Sequence, residues 1–136
     1  FRKFHRVGER IDGDDIQLKY GGGYDHNWNL DQDDADGLRL AAEAFDEKTD
    51  IGLQVYTTMP GIQFYSGNSL SEKNAGKGGA VYGRRGGFCL ETQYYPDAVN
   101  QKTFLKPIFS PGQIYRHTTI YRLHFNSIVD GWNTKW

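Results

Sequence analysis

The chain has 136 residues, with 17 acidic and 16 basic side chains and a formal net charge of −1 at pH 7. This length is that of one ordinary domain that can bury a hydrophobic core. The charges nearly cancel and no basic block occurs, so neither nucleic acid nor an anionic membrane is an expected partner. No apolar run approaches the roughly 18 residues that would span a bilayer.

Cysteine and glycine usage indicate the compartment and the fold class. The single cysteine, Cys89, excludes an internal disulfide and favours a reducing compartment, so a cytoplasmic location is expected, with periplasmic or secreted locations left open. Its expected role is buried packing. Seventeen glycines, four prolines and 15% aromatic residues predict short strands joined by tight turns, and therefore an all-β fold. Without repeats or a change in composition, residues 1–136 are interpreted as one domain.

The first third of the chain combines a charged segment with a glycine turn and a strand. Residues 1–19 are loop-like and are interpreted as a covering segment. The glycines at 21–23 allow the backbone to approach another group closely, but they lack the spacing of a dinucleotide-binding loop. A strand predicted at 24–30 would place Asp25 on one face together with two asparagines.

The next predicted elements are a turn, a hairpin and a short strand. The acidic turn at 31–37 lacks the ligand spacing and the closing Glu of an EF-hand, so no calcium site is predicted. Residues 38–45 and 51–58 alternate with period two across a polar turn, which predicts a β-hairpin rather than a helix. The strand at 62–65 would place Gln63 on the same face as Tyr65.

The remaining segments alternate between loops and strands. Residues 66–87 are rich in Gly, Asn, Ser and Lys and are predicted to form a long loop, which either lines a site or is simply mobile. A final strand is predicted at 115–125, and residues 126–136 are interpreted as a tail.

The stretch at 87–96 carries the most chemical information. Read as a strand, it places four side chains on one face: Cys89, Glu91, Gln93 and Tyr95. A carboxylate in mid-strand among apolar neighbours costs free energy unless it is solvated, paired or hydrogen-bonded. Glu91 is therefore either a functional carboxylate in a cleft or a structural side chain on a solvated face.

The sequence lacks the motifs of acyl-enzyme hydrolysis and of metal binding. There is no GxSxG, and Cys89 has no neighbouring base, so hydrolysis through an acyl-enzyme is not predicted. The histidines form neither an HExxH motif nor a Cys/His cluster, so no metal site is predicted. What remains is carboxylates, amides and aromatic rings on strands, and such side chains suit a sugar-binding cleft because they hydrogen-bond hydroxyls and stack on sugar rings.

Three motifs carry a resemblance to a known family. They are GGYDHN at 22–27, VYTTMPGIQFYSGN at 55–68 and GFCLETQYYPDAVN at 87–100. Together they resemble the aldose 1-epimerase, or galactose mutarotase, family over about residues 8–125. The resemblance implies a large antiparallel β-sandwich, of which this chain would be the C-terminal portion. It also implies interconversion of the α and β anomers of aldohexoses such as galactose and glucose, without metal or organic cofactor.

The resemblance also assigns site residues. It implies that Glu91 is the general base that takes the proton from the anomeric hydroxyl. It implies that Asp25 and Gln63 bind sugar hydroxyls, and that the ring of Tyr95 lies beside the sugar.

One departure from the family pattern stands out. The family's acid histidine, a second active-site histidine and a sugar-binding arginine come from an N-terminal part whose motifs do not occur in this sequence. None of the four histidines occupies the acid position by motif: His5, His26, His117 and His124. An N-terminal portion, in the same protein or as a second chain, is therefore the expected partner, and the isolated chain is expected to be weak or inactive. The alternative is a non-catalytic carbohydrate-binding β-sandwich module.

Overall fold

A computed structural model describes residues 2–31 and 37–125. In these residues the strands are β1 (Asp25–Asn29), β2 (Arg39–Asp46), β3 (Ile51–Thr57), β4 (Gly61–Tyr65), β5 (Cys89–Gln93) and β6 (Thr119–Phe125). Helical structure there is limited to α1 (Ile16–Gly21) and 3-10 turns at Val7–Glu9 and Lys77–Gly79. None of these described helical segments has the length and apolarity needed to cross a bilayer. The predicted all-β class is confirmed.

Contacts within the chain group into two compact units. The first comprises the described residues up to 28 together with residues 63–91, and it contains most of a sheet with the strand order β1-β4-β5. The second comprises residues 29–62 and the described residues from 92 onward, and it contains a sheet with the order β2-β3-β6. The interpretation of the chain as one domain stays a prediction. The predicted tail at 126–136 and most of the acidic turn at 31–37 lie outside the described residues.

The first unit is built on a small apolar cluster. Ile11, Tyr24 and Phe64 are buried in it, and Leu18 of α1 and Leu90 of β5 pack against them. The ring centroids of Tyr24 and Phe64 lie 5.4 Å apart. These side chains come from the N-terminal segment and from or beside each strand of the sheet, so the cluster fixes which face of β1, β4 and β5 is turned to the core.

Helix α1 corrects the interpretation of residues 1–19 as loop. The side chain of Asp15 caps its N-terminus by accepting a hydrogen bond from the Gln17 amide at 2.7 Å, and Gly22, with φ 65°, ends it. Six residues are too few for a helical hydrophobic period to show in the sequence. The helix is stabilised by the tertiary contact of Leu18 with the apolar cluster, which the local sequence pattern does not reveal.

The second unit contains the predicted hairpin. Strands β2 and β3 pair antiparallel, and β3 also pairs antiparallel with β6. The register of β2 against β3 shifts between Leu40 and Ala42, so the period-two alternation is not continuous along β2. Val55 and Thr57 on the central strand β3 are fully buried.

Arg85 ties the loop after β4 to the N-terminal segment. Its guanidinium donates to both carboxylate oxygens of Asp12, at 2.8 and 2.6 Å, and to the carbonyl of Gly22 at 3.1 Å. Its amide donates to the carbonyl of Gly67 at 2.8 Å. The hydrogen bond with Arg85, followed by the charges of Arg85 and Arg84, lowers the pKa of the Asp12 carboxyl against a smaller opposing effect of burial.

We expect Gly67→Ala to destabilise the first unit. Gly67 has φ +70°, and an added Cβ would lie 2.4 Å from the carbonyl oxygen of Gly87, which is backbone and cannot easily move. The expected loss of unfolding free energy is about 1–3 kcal/mol, measured by urea denaturation. Gly8→Ala is the matched control, because nothing lies within 4 Å of its Cβ position. Equal effects of the two substitutions would contradict the expectation.

The Asp12 ion pair predicts a pH-dependent effect of Asp12→Asn. Because the pKa of Asp12 is lower in the folded chain, its ionised form stabilises the fold above its ordinary pKa of about 4. That contribution is lost as the pH falls through the lowered pKa. The difference in unfolding free energy between the parent and Asp12→Asn should therefore be present at neutral pH and shrink in acid. A difference that is the same at both pH values would show that the ion pair does not contribute.

Candidate active site

Three adjacent strands present the predicted polar site residues. The order β1-β4-β5 places Asp25, Gln63 and Glu91 on neighbouring strands of the first unit. Each is adjacent in sequence to a member of the apolar cluster, respectively Tyr24, Phe64 and Leu90. Because successive side chains of a strand point to opposite faces, the three polar groups are turned away from the cluster. Asp25 and Glu91 are exposed and Gln63 is half-buried, so the carboxylates remain solvated.

Two of these side chains are directly joined. The Gln63 Nε2 group donates a hydrogen bond to Asp25 Oδ1 at 2.7 Å. A carboxylate offers about four lone-pair positions, so one amide donor occupies a fraction of its capacity to accept hydrogen bonds from hydroxyls. The predicted substrate contacts on β1 and β4 thus form one hydrogen-bonded pair.

Cys89 lies beside Glu91, which corrects the expectation that it is buried packing. Its thiol is exposed, and Glu91 lies two residues along β5 on the same side of the strand. The pKa of Cys89 is raised by partial burial first, then by the charge of Glu91, the hydrogen bond with Glu91 and the charge of Asp25. The thiol therefore stays protonated at neutral pH and can donate to Glu91. The contact also agrees with the predicted placement of Cys89 and Glu91 on one face.

Tyr95 belongs to the second unit. Its half-buried ring packs edge-on against Phe104, with centroids 5.0 Å apart and an interplanar angle of 78°. Strand β5 ends at Gln93, two residues before Tyr95, so strand alternation by itself does not determine the direction of this side chain. Its predicted place beside a bound sugar stays a prediction.

The histidines have local partners. His117 lies between Thr58 and Tyr94, with Nδ1 3.1 Å from Thr58 Oγ1 and Nε2 3.2 Å from the Tyr94 hydroxyl. His26 packs edge-on against Tyr24. His5 contacts Glu9 and Arg10, and His124 contacts Gln54. These contacts explain each histidine as part of its local structure and do not identify a proton donor for a reaction.

Neither a metal cluster nor the pocket on the first unit coincides with these residues. Within residues 2–31 and 37–125, no group of three or more His, Cys, Asp or Glu side chains could hold a metal ion. An open pocket of about 250 Å³ lies on the first unit, and its lining includes Ile11, Asp12 and Arg84 but none of the three polar strand residues. The candidate site is therefore an open polar sheet face rather than this pocket.

The close backbone approach expected at the glycine turn is made to Asn68. Gly23 has φ +139°, and a Cβ there would lie 2.4 Å from Asn68 Oδ1. Asn68 is not among the site residues predicted from the sequence, although it ends the motif at 55–68. Its role depends on a contact that spans 45 positions of the chain, which no local pattern reveals.

The fold and site define an all-β protein with carboxylates and an amide on one sheet face, an arrangement suited to a hydroxylated ligand. The profile of the aldose 1-epimerase family matches residues 1–122. The chain belongs to the aldose 1-epimerase family, which confirms the resemblance, and its sheets are consistent with the family's β-sandwich.

Individual relatives support the same family assignment. The galactose mutarotase of Rattus norvegicus is 42% identical over 110 residues, covering 81% of this chain and 32% of the relative. That of Homo sapiens is 45% identical over 100 residues, covering 74% and 29% respectively. The aldose 1-epimerase of Escherichia coli strain K12 is 35% identical over 124 residues, covering 90% and 35%. The chain spans about a third of the length of these curated relatives.

The contact between Cys89 and Glu91 makes a prediction that needs no substrate. In Glu91→Gln the negative charge beside the thiol is removed, so the pKa of Cys89 should fall, although partial burial keeps it above its ordinary value. The rate of alkylation by iodoacetamide against pH, with one thiol in the chain, measures this directly. Glu72→Gln, in the exposed loop after β4, is the matched control and should leave the profile unchanged. Identical profiles for all three proteins would exclude the contact.

Proposed function

We propose that the protein carrying this chain is an aldose 1-epimerase that interconverts the α and β anomers of aldohexoses such as galactose and glucose. The observation that carries this proposal is the placement of Glu91 and of the hydrogen-bonded pair Asp25 and Gln63 on three adjacent strands. Family membership supports it, as do relatives named galactose mutarotase and aldose 1-epimerase. Because those relatives are named as enzymes, the non-catalytic binding module is not favoured.

Glu91 is the general base in this mechanism. Its exposed carboxylate takes the proton from the anomeric hydroxyl, the bond between C1 and the ring oxygen breaks, and an acid delivers a proton to that oxygen. Rotation about the bond between C1 and C2 presents the other face of the aldehyde. The steps then reverse, with Glu91 returning its proton to the C1 oxygen, so the two acid–base groups end in their starting states.

Asp25, Gln63 and Tyr95 bind the sugar in this proposal. The carboxylate of Asp25 accepts hydrogen bonds from hydroxyls, and Gln63 holds that carboxylate in place while its own carbonyl accepts further donors. The ring of Tyr95 provides an aromatic face for the C–H surface of the sugar.

The proton donor is proposed to come from an N-terminal portion of the same protein or from a second chain. Two observations support this: each histidine has local partners, and the chain spans about a third of the length of its curated relatives. Loss of one positioned acid typically costs about 10²–10⁴-fold in rate. The isolated chain should therefore be a weak or inactive enzyme.

We also propose a cytoplasmic location. The single cysteine, Cys89, is a free exposed thiol, which suits a reducing compartment. Cell fractionation of the complete natural protein tests this, and recovery of the protein from an extracellular or periplasmic fraction would overturn it.

Polarimetry of freshly dissolved α-D-glucose and α-D-galactose tests the base assignment. In the complete protein, Glu91→Gln should slow enzyme-catalysed equilibration by about 10²–10⁴-fold, because the amide cannot accept the anomeric proton. Glu72→Gln makes the same chemical change at an exposed loop position and should equilibrate the anomers at the parent rate.

Two outcomes would contradict the proposal in different ways. If Glu91→Gln kept the parent rate, Glu91 would not be the base. If the complete parent protein bound these sugars in a titration without accelerating anomer exchange, the non-catalytic binding module would replace the enzyme.

A further inference from the structure

Asn68, in the loop after β4, holds the turn that leads into β1. Its Nδ2 group donates to the carbonyls of Gly21 and Tyr24, both at 2.9 Å. Its Oδ1 accepts a hydrogen bond from the Ser66 hydroxyl at 2.7 Å. Two facing carbonyl oxygens require a donor, so these contacts determine which way the amide points. Both donors and the acceptor of the side chain are thus engaged by the protein itself.

These contacts converge on the peptide unit that begins Asp25. The Tyr24 carbonyl also accepts from the Ser66 amide at 2.9 Å, and the Tyr24 amide donates to Ser66 Oγ at 3.1 Å. Tyr24 and Ser66 are 8% and 3% exposed, so the network is shielded from water. The Tyr24 carbonyl and the Asp25 amide lie in one rigid plane that also contains the Asp25 Cα, so a held carbonyl restrains the atom from which the Asp25 side chain projects.

The turn at 21–23 needs external hydrogen bonds to restrain it because it consists of glycines. Gly22 and Gly23 have φ values of 65° and 139°, which L side chains rarely adopt. Glycine has the greatest conformational freedom in the unfolded chain, and without side chains the turn has no packing of its own. Its amides bond back to the carbonyls of α1, and the loop after β4 adds the hydrogen bonds of Asn68 and one each from Arg84 and Arg85 to the Gly22 carbonyl, at 2.7 and 3.1 Å.

We propose that Asn68 is a positioning residue for Asp25: its amide locks the Gly21 and Tyr24 carbonyls and thereby sets the carboxylate that receives the sugar hydroxyls. This inference rests on the proposed function and adds to it a residue that acts through Asp25. Gln63 holds the carboxylate at its far end, and Asn68 holds the backbone from which it projects. Displacement of a binding group by about 1 Å can cost on the order of 100-fold in rate.

A double-mutant cycle in the complete protein tests this inference. Asn68→Ala, Asp25→Asn and the double variant are compared with the parent by polarimetric KM and kcat for galactose. Asn68→Ala should raise KM by about 10- to 100-fold with a smaller change in kcat. The double variant should lose no more than Asp25→Asn alone, because the positioned group is already impaired. Asn74→Ala, in the exposed part of the same loop, is the control and should match the parent.

Hydrogen exchange supplies a readout that does not depend on activity. The Tyr24 amide bonds Ser66 Oγ and the Asp25 amide bonds His26 Nδ1 at 3.0 Å. Exchange at these two amides should accelerate in Asn68→Ala and not in Asn74→Ala. If Asn68→Ala does not fold, Ser66→Ala removes the acceptor of the Tyr24 amide and one donor to Asn68 and serves as the second variant.

The outcomes separate this inference from the proposed function. If Asp25→Asn keeps the parent KM and kcat, the assignment of Asp25 as a sugar contact fails, and the positioning role fails with it. If Asp25→Asn is impaired while Asn68→Ala is neutral, or while the two losses simply add, the positioning role is overturned and the proposed function stands. Unchanged exchange at Tyr24 and Asp25 would likewise overturn the positioning role.

Discussion

The candidate site depends on the alternation of side chains across the sheet β1-β4-β5. On or directly beside each strand a residue of the apolar cluster is followed or preceded by a polar site residue, so the two point to opposite faces of the sheet. A slip of one residue in β5 would exchange Glu91 with Leu90, which would bury a charge and expose a hydrophobic side chain. Burial of Tyr24, Phe64 and Leu90 by the hydrophobic effect thus determines the sheet face on which the candidate site residues lie.

The polar face keeps its carboxylates available at little energetic cost. Asp25 accepts a hydrogen bond from the Gln63 amide, and the carboxylates of Asp25 and Glu91 are both exposed to water, so neither carries the penalty of a buried charge. A neutral donor stabilises a carboxylate and leaves its charge in place. An arginine, which is cationic, would neutralise that charge. The exposed carboxylate of Glu91 is therefore accessible to a substrate hydroxyl.

The loop after β4 has a structural function in the first unit. Asn68 and Arg84 hold the glycine turn before β1, and Arg85 pairs with Asp12 and bonds the Gly67 carbonyl. From its composition alone, this segment is predicted to be either a site-lining or a mobile loop. The observed hydrogen bonds show that parts of it are fastened to the N-terminal segment. The site is thereby linked to residues far from it in sequence.

The sequence by itself determined the all-β class, the hairpin of β2 and β3 and the faces of Cys89 and Glu91, because strand alternation and turn composition are local properties. It also identified the family, because whole motifs are retained. Only the tertiary structure decided that six residues form α1, that Cys89 is exposed beside Glu91, and that Asn68 holds the glycine turn. These features depend on contacts between distant parts of the chain or on the burial they create, and neither quantity is encoded in a local pattern.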